Sequence, residues 1–339
     1  MTAPIREWQD VNAARFEELK AAGEPAVIRG FASDWPIVRT SGESTDALMQ
    51  YIGSFGEDTR VKAFHGDKSI KGRYFYSDDL LGFNFERREL TLGQLLEALK
   101  RKASEADPDG LYAGAIPLRD SLAGINAENP NPLLGDDIEQ LISMWIGNRG
   151  RTAPHWDLPQ NIAVVVSGKR TFTLFPPEQL PNMYVGSVDF TLAGQPISLV
   201  DLHEPDFERF PKFKDALAAA TAATLEPGDA IYVPSMWFHH VEAHDAFSIL
   251  INYWWRDAEA YMFSPLFTLM HALLSIRDLP EREREIWRKH FDHYIFQTDG
   301  EPMEHIPERA RGVFQEMHPE LVTGLRAYLL KSLGGVPKR

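Results

Sequence analysis

Thr152-Ala153-Pro154-His155-Trp156-Asp157, answered about eighty residues later by Ile231-Tyr232-Val233-Pro234-Ser235-Met236-Trp237-Phe238-His239-His240, is the pair of segments around which the rest of the chain can be read. Side chains alternate across a strand, so an imidazole and a carboxylate two residues apart point to the same face. A histidine from a distant strand then completes a 2-His-1-carboxylate set that leaves positions open on a metal, an arrangement suited to non-haem Fe(II). A lone His-x-Asp is a common surface triplet. Here it precedes a strongly apolar run, Ile162 to Val166, and the second histidine sits in an aromatic strand-turn setting. The gap between them leaves room for the strands that would bring the two ends together. His239 and His240 are adjacent, so only one can face inward. His239 is assigned to the metal and His240 to a structural or supporting hydrogen bond, with a satisfied core histidine as its plainer reading. His203 and His244 are read as exposed or structural.

Working outward, short apolar segments at Ile142–Gly147, Gln160–Val166, Thr171–Phe175, Ala230–Val233, His240–Ala243 and Phe247–Trp254 alternate with Gly and Pro turns, a pattern of sandwich or barrel. Glu226-Pro227-Gly228-Asp229 is a tight turn before the last hairpin. The insert from Pro181 to Ala223 has little strand character, and alanine-rich Phe213 to Thr224 reads as helix. Toward the N-terminus the patterns predict a helix within residues 6–22, a buried strand at Pro25–Gly30 and a turn at Asp34-Trp35-Pro36. They also predict a helix over Asp46–Tyr51 capped by Ser44 or Thr45, and strands at Val61–Phe64 and Tyr74–Tyr76. Leu92, Leu95, Leu96 and Leu99 follow Thr91 at the spacing of a buried helix stripe, and Leu111–Ala115 reads as a strand. After Trp255 the pattern turns helical: Ala258 to Ile276, a face at Ile286, Trp287, His290, Phe291, Tyr294 and Ile295, and another from Leu321 to Leu333 ended by Gly334-Gly335. This tail has more apolar faces than it covers alone, which predicts packing on the barrel or homodimerisation. The expected organisation is mainly β with α: N-terminal α/β elements and a barrel core of about 111–256 within residues 1–257, then a helical region over 258–339.

The chain has 339 residues, 44% hydrophobic and 25% charged, ordinary values for a globular protein. A formal charge of −14 argues against a stable, sequence-independent grip on nucleic acid, though a locally basic cleft stays compatible. Without cysteine, any metal must be held by His, Asp, Glu or backbone oxygen. Neither a signal-like apolar run at the N-terminus nor a membrane-length apolar stretch is present, so a cytoplasmic setting is expected.

In Gly168-Lys169-Arg170-Thr171-Phe172-Thr173-Leu174-Phe175, Arg170 shares one face with Phe172 and Leu174, while the threonines suit the other. An inward guanidinium needs an anion, and arginine holds carboxylates bidentately. The alternative is an arginine that snorkels to the rim. Asn252 is a polar residue in the apolar run Ile249 to Trp254 and must find partners. Thr152, Asn161 and Tyr112 offer further hydroxyl or amide groups to the same pocket, or to ordinary barrel hydrogen bonds. Trp237 and Trp254 read as aromatic wall.

Thr152-x-x-His155-x-Asp157, Asn161, Gly168-x-Arg170, Leu174-Phe175-Pro176-Pro177, Pro227-Gly228-Asp229, Val233-Pro234-x-x-Trp237-x-His239-His240 and Asn252-x-Trp254 together resemble the cupin-like branch of the JmjC oxygenases, in particular the asparaginyl hydroxylase type. Val27-Ile28-Arg29-Gly30, Asp34-Trp35-Pro36 and Pro205 to Pro211 extend the resemblance over about residues 20–256. It implies a double-stranded β-helix (a jelly roll) with Fe(II) on His155, Asp157 and His239. It implies 2-oxoglutarate bound through Arg170, Thr152 and Tyr112, with Asn161 and Asn252 as pocket amides, and a dimerising helical tail. It also implies hydroxylation of a C–H bond in a protein, peptide or small-molecule substrate. Two departures stand out. Arg170 occupies a position that is lysine in the asparaginyl hydroxylase, and Pro196-Ile197 replaces an Arg-Gln pair that holds asparagine there, so asparagine hydroxylation is not expected. The alternatives are a metal-dependent cupin enzyme that does not use 2-oxoglutarate and a non-catalytic binding protein on the same fold.

Overall fold

A computed structural model describes residues 2–135 and 137–334. The chain divides into two compact units, Met1–Asp257 and Ala258–Arg339. In the first, eight strands alternate between two sheets except at the hairpin-like pair Arg170–Phe175 and Thr221–Leu225, which share one: Leu141–Gly147, Gln160–Ser167, Ala230–Val233 and Ser248–Trp255 form the first sheet, Gly150–Trp156, Arg170–Phe175, Thr221–Leu225 and Phe238–Ala243 the second. That alternation is the signature of a double-stranded β-helix. The first sheet grows to nine strands and the second to six by adding N-terminal strands.

The strand Gln160–Ser167 shows why its sequence is apolar throughout. Ala163 and Val165 enter the cluster between the sheets, with Phe172, Leu174, Ile231 and Leu250. Ile162, Val164 and Val166 enter the cluster on the outer face, under the N-terminal helices. Leu92, Leu95, Leu96 and Leu99 line the helix Leu92–Ala103 and are buried there; each contributes about 1.5–3 kcal/mol by leaving water. Thr91 caps that helix in a capping box with Gln94. Ser44 caps the helix Thr45–Gly53, its side chain accepting from the Ala47 amide.

Several expectations shift. The helix placed within residues 6–22 covers only Ala13–Ala22, because Asn12 takes its cap and Asp10 turns at φ 53. Arg6–Trp8 is instead a strand parallel to Ala26–Ile28. Pro36 is not merely a turn residue: it opens a helix over Pro36–Glu43, a position where its missing N–H costs nothing. The helix read over Phe213–Thr224 stops at Ala219, and Thr221–Leu225 is a strand paired with Arg170–Phe175. Cross-strand pairing, with Thr224 opposite Thr171, overrides the helical preference of alanine there. The polar edge strand Glu86–Thr91 gave no alternating signal and was not expected. Tyr74 lies in a two-residue strand, Arg73–Tyr74, and Tyr76 forms an isolated bridge to Phe83.

The turn at Glu226–Asp229 is tied by one carboxylate. Asp229 accepts from the amides of Gly30 (2.9 Å) and Glu226 (3.0 Å) and pairs with Arg29 at 2.6 Å. It thereby fixes the N-terminal strand against the barrel. The second unit contains the helices Pro265–Ser275, Glu281–Tyr294 and Pro319–Leu333, the last ending at Gly334. Gly335, read as part of that stop, lies outside the described residues. No helix among the described residues is long and apolar enough to cross a membrane.

Candidate metal centre

His155 comes from the strand Gly150–Trp156 and Asp157 from one residue beyond its end; His239 stands directly opposite His155 on Phe238–Ala243. One ligating atom from each of the three lies within 4.8 Å of the others. The two imidazole rings have centroids 4.2 Å apart, and His239 Nε2 is 3.6 Å from the Asp157 carboxylate.

Backbone carbonyls settle which ring nitrogen faces the centre. His155 Nδ1 lies 2.9 Å from the Ala153 carbonyl and His239 Nδ1 lies 3.1 Å from that of Trp237. Each Nδ1–H donates outward, which leaves the Nε2 lone pairs for a metal. Burial, with the neighbouring His239 ring, draws the His155 pKa down to about 4, so the ring stays neutral, the form that ligates. Burial acts to raise the Asp157 carboxyl, but its contact with His239 and the nearby His155 ring holds it below the ordinary carboxylate range. Asp157 Oδ1 is buried without a partner. An ionised oxygen in that position calls for a cation. The donor set fits a divalent metal.

Thr152 reaches the same cavity through an irregularity. Val241 pairs with Thr152 and His239 with His155, so Ala153 and Pro154 together oppose the single residue His240. This β-bulge, at a proline that lacks an amide donor, turns Thr152 to the side of His155, whereas residues three apart on a regular strand face opposite ways. The cavity is lined by Tyr112, Thr152, His155, Asp157, Asn161, Arg170, His239 and Asn252, with Trp145, Phe172, Leu250 and Trp254 among its walls. It continues into a cleft of about 750 Å³ that shares Tyr112, Trp145, Thr152, His155, Asp157 and Trp254. Trp237 is not part of this lining; its indole donates to the Gly23 carbonyl. A still larger surface groove, about 1120 Å³, lies between Asp46–Asp58 and Thr91–Arg101, away from these ligands.

Arg170 is 5% exposed, and among the described residues its side chain makes one hydrogen bond, from Nε to the Ser248 hydroxyl at 3.1 Å. Among the described residues no carboxylate pairs with it, and burial draws its pKa down to about 10. Burial pushes the Tyr112 phenol up, so it remains protonated and able to donate. Asn252 accepts from Trp145 Nε1 at 2.6 Å and donates to Asn161 Oδ1 at 3.3 Å. These amides are thus set by a wall-to-wall chain. Trp145 and Ser248 were not singled out from sequence; neither a tryptophan in an apolar strand nor an isolated serine carries a distinctive signal. Ile197 forms a bridge to His155, and its position beside a ligand follows from the fold alone.

Among the described residues, neither ring nitrogen of His240 makes a hydrogen bond of normal geometry, and the Thr152 carbonyl is the backbone group that bears on the ring. The ring points to the outer face of the six-stranded sheet, away from His239. His203 and His244 do make contacts, to Glu242 and Thr171 respectively.

A jelly roll with this ligand set defines a class, and the chain belongs to it: residues 12–261 match the cupin-like domain, and the chain is a member of that family, of JmjC type. It is 30% identical to lysine-specific demethylase JMJ31 of Arabidopsis thaliana over 73% of this chain and 49% of that protein. It is 29% identical to tRNA wybutosine-synthesizing protein 5 of Gallus gallus over 40% of this chain and 44% of that one. With human HSPB1-associated protein 1 it shares 35% identity over 33% of this chain and 23% of that protein. The matches span about half or less of the length of these relatives. They support an oxygenase-type enzyme family of the 2-oxoglutarate kind.

Proposed function

We propose that the chain is an Fe(II)- and 2-oxoglutarate-dependent oxygenase that hydroxylates a C–H bond in a protein or peptide side chain. The observation that carries this reading is the coincidence, in one cavity, of the His155/Asp157/His239 cluster and a buried arginine that no carboxylate of the described chain answers. His155, Asp157 and His239 would hold the metal. Arg170 would hold the far carboxylate of 2-oxoglutarate, with the Thr152 and Tyr112 hydroxyls as further donors and Asn161 and Asn252 as the polar wall. When bound, the pair supplies O2 activation: 2-oxoglutarate becomes succinate and CO2, with one oxygen atom going to succinate and the other to the substrate hydroxyl.

The chain's own part is positional. The Ala153 and Trp237 carbonyls fix the two imidazoles, while Phe172, Val241, Leu250 and Ala163 keep water from the cavity. No acid–base pair is asked of it. Lys62, Arg87, Arg88 and Arg151 line the cleft against Glu89, Asp157 and His155; Arg88 pairs with Glu86 and Arg151 with Asp201, which leaves Lys62 and Arg87 to favour a peptide that presents acidic groups. The printed names of relatives point to a lysine-specific demethylase in one case and to tRNA in another; the net charge of −14 favours the protein substrate here. Apolar Pro196 and Ile197 offer nothing to hold an asparagine amide. A cytoplasmic setting belongs to the same reading.

The test is succinate and CO2 release from 2-oxoglutarate with Fe(II) and ascorbate, with and without acidic peptide libraries. Peptide-stimulated release is the expected result. Failure to bind 2-oxoglutarate at all would move the chain to the metal-dependent cupin enzymes that do not use it. Binding without turnover under every condition would leave a binding protein.

The organisation into a catalytic region, residues 1–257, and a homodimerising helical region, 258–339, is part of this proposal. Its support is that none of the helices Pro265–Ser275, Glu281–Tyr294 and Pro319–Leu333 contains a buried residue. Phe267 is 66% exposed, Trp287 46% and Leu330 74%. Exposed large apolar side chains in this number favour an association site. Trp287→Glu combined with Leu330→Glu is expected to convert a dimer into a monomer in sedimentation; a wild-type chain already monomeric at micromolar concentration would end the dimer reading.

A further inference from the structure

We infer that His203, His240 and Glu242 form a second divalent transition-metal site, on the outer face of the six-stranded sheet and outside the cavity that contains His155. His240 and Glu242 are two apart on Phe238–Ala243 and share the face opposite to His239. His203 arrives from the insert, its amide held by the Asp201 carboxylate at 2.9 Å. Its Nε2 lies 3.0 Å from Glu242 Oε2, and one ligating atom from each of the three residues lies within 4.8 Å of the others. Among the described residues, this and the first centre are the two places where three such side chains converge.

The second observation is His240 itself. It is 5% exposed, and among the described residues neither ring nitrogen makes a hydrogen bond of normal geometry, with the Thr152 carbonyl as its backbone neighbour. A buried ring nitrogen left bare is costly, and a metal would satisfy one of the two. His203 and Glu242 remain 43% and 24% exposed, which gives an ion a path in from solvent. Arg73 and Arg151 line the small cavity beside His240, where Asp201 answers both, although Arg73 Nη2 is buried without a hydrogen bond among the described residues. Asp201 pairs with Arg73 at 3.5 Å and Arg151 at 3.3 Å, and the Arg73 guanidinium also lies 3.7 Å over the Phe75 ring. The Glu242 carboxylate is therefore not an arginine's partner. Two imidazoles and one carboxylate suit zinc and leave a further position open. A metal there would staple the loop that carries His203 to the strand whose other face presents His239, a structural rather than a reacting role.

The test uses untagged full-length protein and Co(II) as the probe, followed by visible absorption and by metal content after gel filtration. A His155→Ala/Asp157→Ala background removes the first centre and leaves the second intact. Wild type is expected to take up two equivalents and the background one. Adding His203→Ala or Glu242→Gln should weaken the remaining equivalent about tenfold or more, and the two together should abolish it. Zn(II) should raise the Tm of the background by several degrees and leave the quadruple variant unmoved. His203 and Glu242 are solvent-accessible, so circular dichroism should show the fold kept. No uptake by the background, or uptake indifferent to His203→Ala/Glu242→Gln, would overturn the assignment.

Discussion

Asp157→Ala is expected to lower the Fe(II) affinity of the His155/His239 centre by more than the roughly 10–100-fold that loss of an outer-shell partner costs a metal site. Asp157 is the one formal negative charge of the three, 4% exposed, with one oxygen lacking any protein partner. Without it, two neutral imidazoles are left to hold a dication in a dry cavity. The stability of the metal-free protein should change far less. Without metal, the substitution removes only the contact with His239 and the nearby His155 ring, which outweighs the cost of burying the carboxylate there. The difference appears when melts are compared with and without metal. A site filled at about 100 to 1,000 times its Kd stabilises by roughly 2.7–4.1 kcal/mol, and Asp157→Ala should lose that increment. Anaerobic calorimetry with Fe(II) reads the affinity directly. An unchanged affinity in Asp157→Ala would sink the metal assignment, and with it the oxygenase reading.

The sequence makes His155, Asp157 and His239 legible as candidate ligands because a metal set restricts residue type and the strand contexts lie about eighty residues apart. It also carries the leucine stripe from Leu92 to Leu99 and the face of Arg170, since both follow from periodicity. What was hidden depended on pairing between distant strands. The bulge at Ala153-Pro154 is set by the register against His239 and Val241, and no local pattern announces it. Thr221–Leu225 looks helical by composition and becomes a strand because Arg170–Phe175 offers it an edge. The site at His203, His240 and Glu242 joins a loop to a strand face, so spacing alone pointed only to ordinary structural histidines. Ile197 beside His155 is legible only once the insert has been folded back over the sheet.

Arg170→Met should separate cofactor binding from stability by moving them in opposite directions. The guanidinium is 5% exposed, bonds to one hydroxyl and faces the cavity that contains His155, Asp157 and His239. An unpaired cation in that position costs folding free energy, and replacing buried charge by an apolar group of similar volume is often stabilising by about 1–4 kcal/mol. Methionine fills much of the same space, so the cofactor-free variant should melt above the wild type. Binding of 2-oxoglutarate should fall, because a buried charge-assisted contact that loses one partner costs about 2–5 kcal/mol, roughly 30-fold to several thousandfold in Kd. Metal affinity should be unchanged, since Arg170 touches none of the three ligands. Arg170→Lys keeps the charge but not the planar fork, and should recover part of the binding. The readouts are the melting temperature without cofactor and 2-oxoglutarate affinity by anaerobic titration of the metal-loaded protein. A variant that binds 2-oxoglutarate as tightly as wild type would show that Arg170 is a wall residue and that another group answers the far carboxylate. A variant that melts lower without cofactor would show that the Ser248 contact and packing outweigh the cost of burying the charge. The predicted pairing of higher stability with weaker binding follows only if the cavity keeps an unmet positive charge for a dianionic ligand.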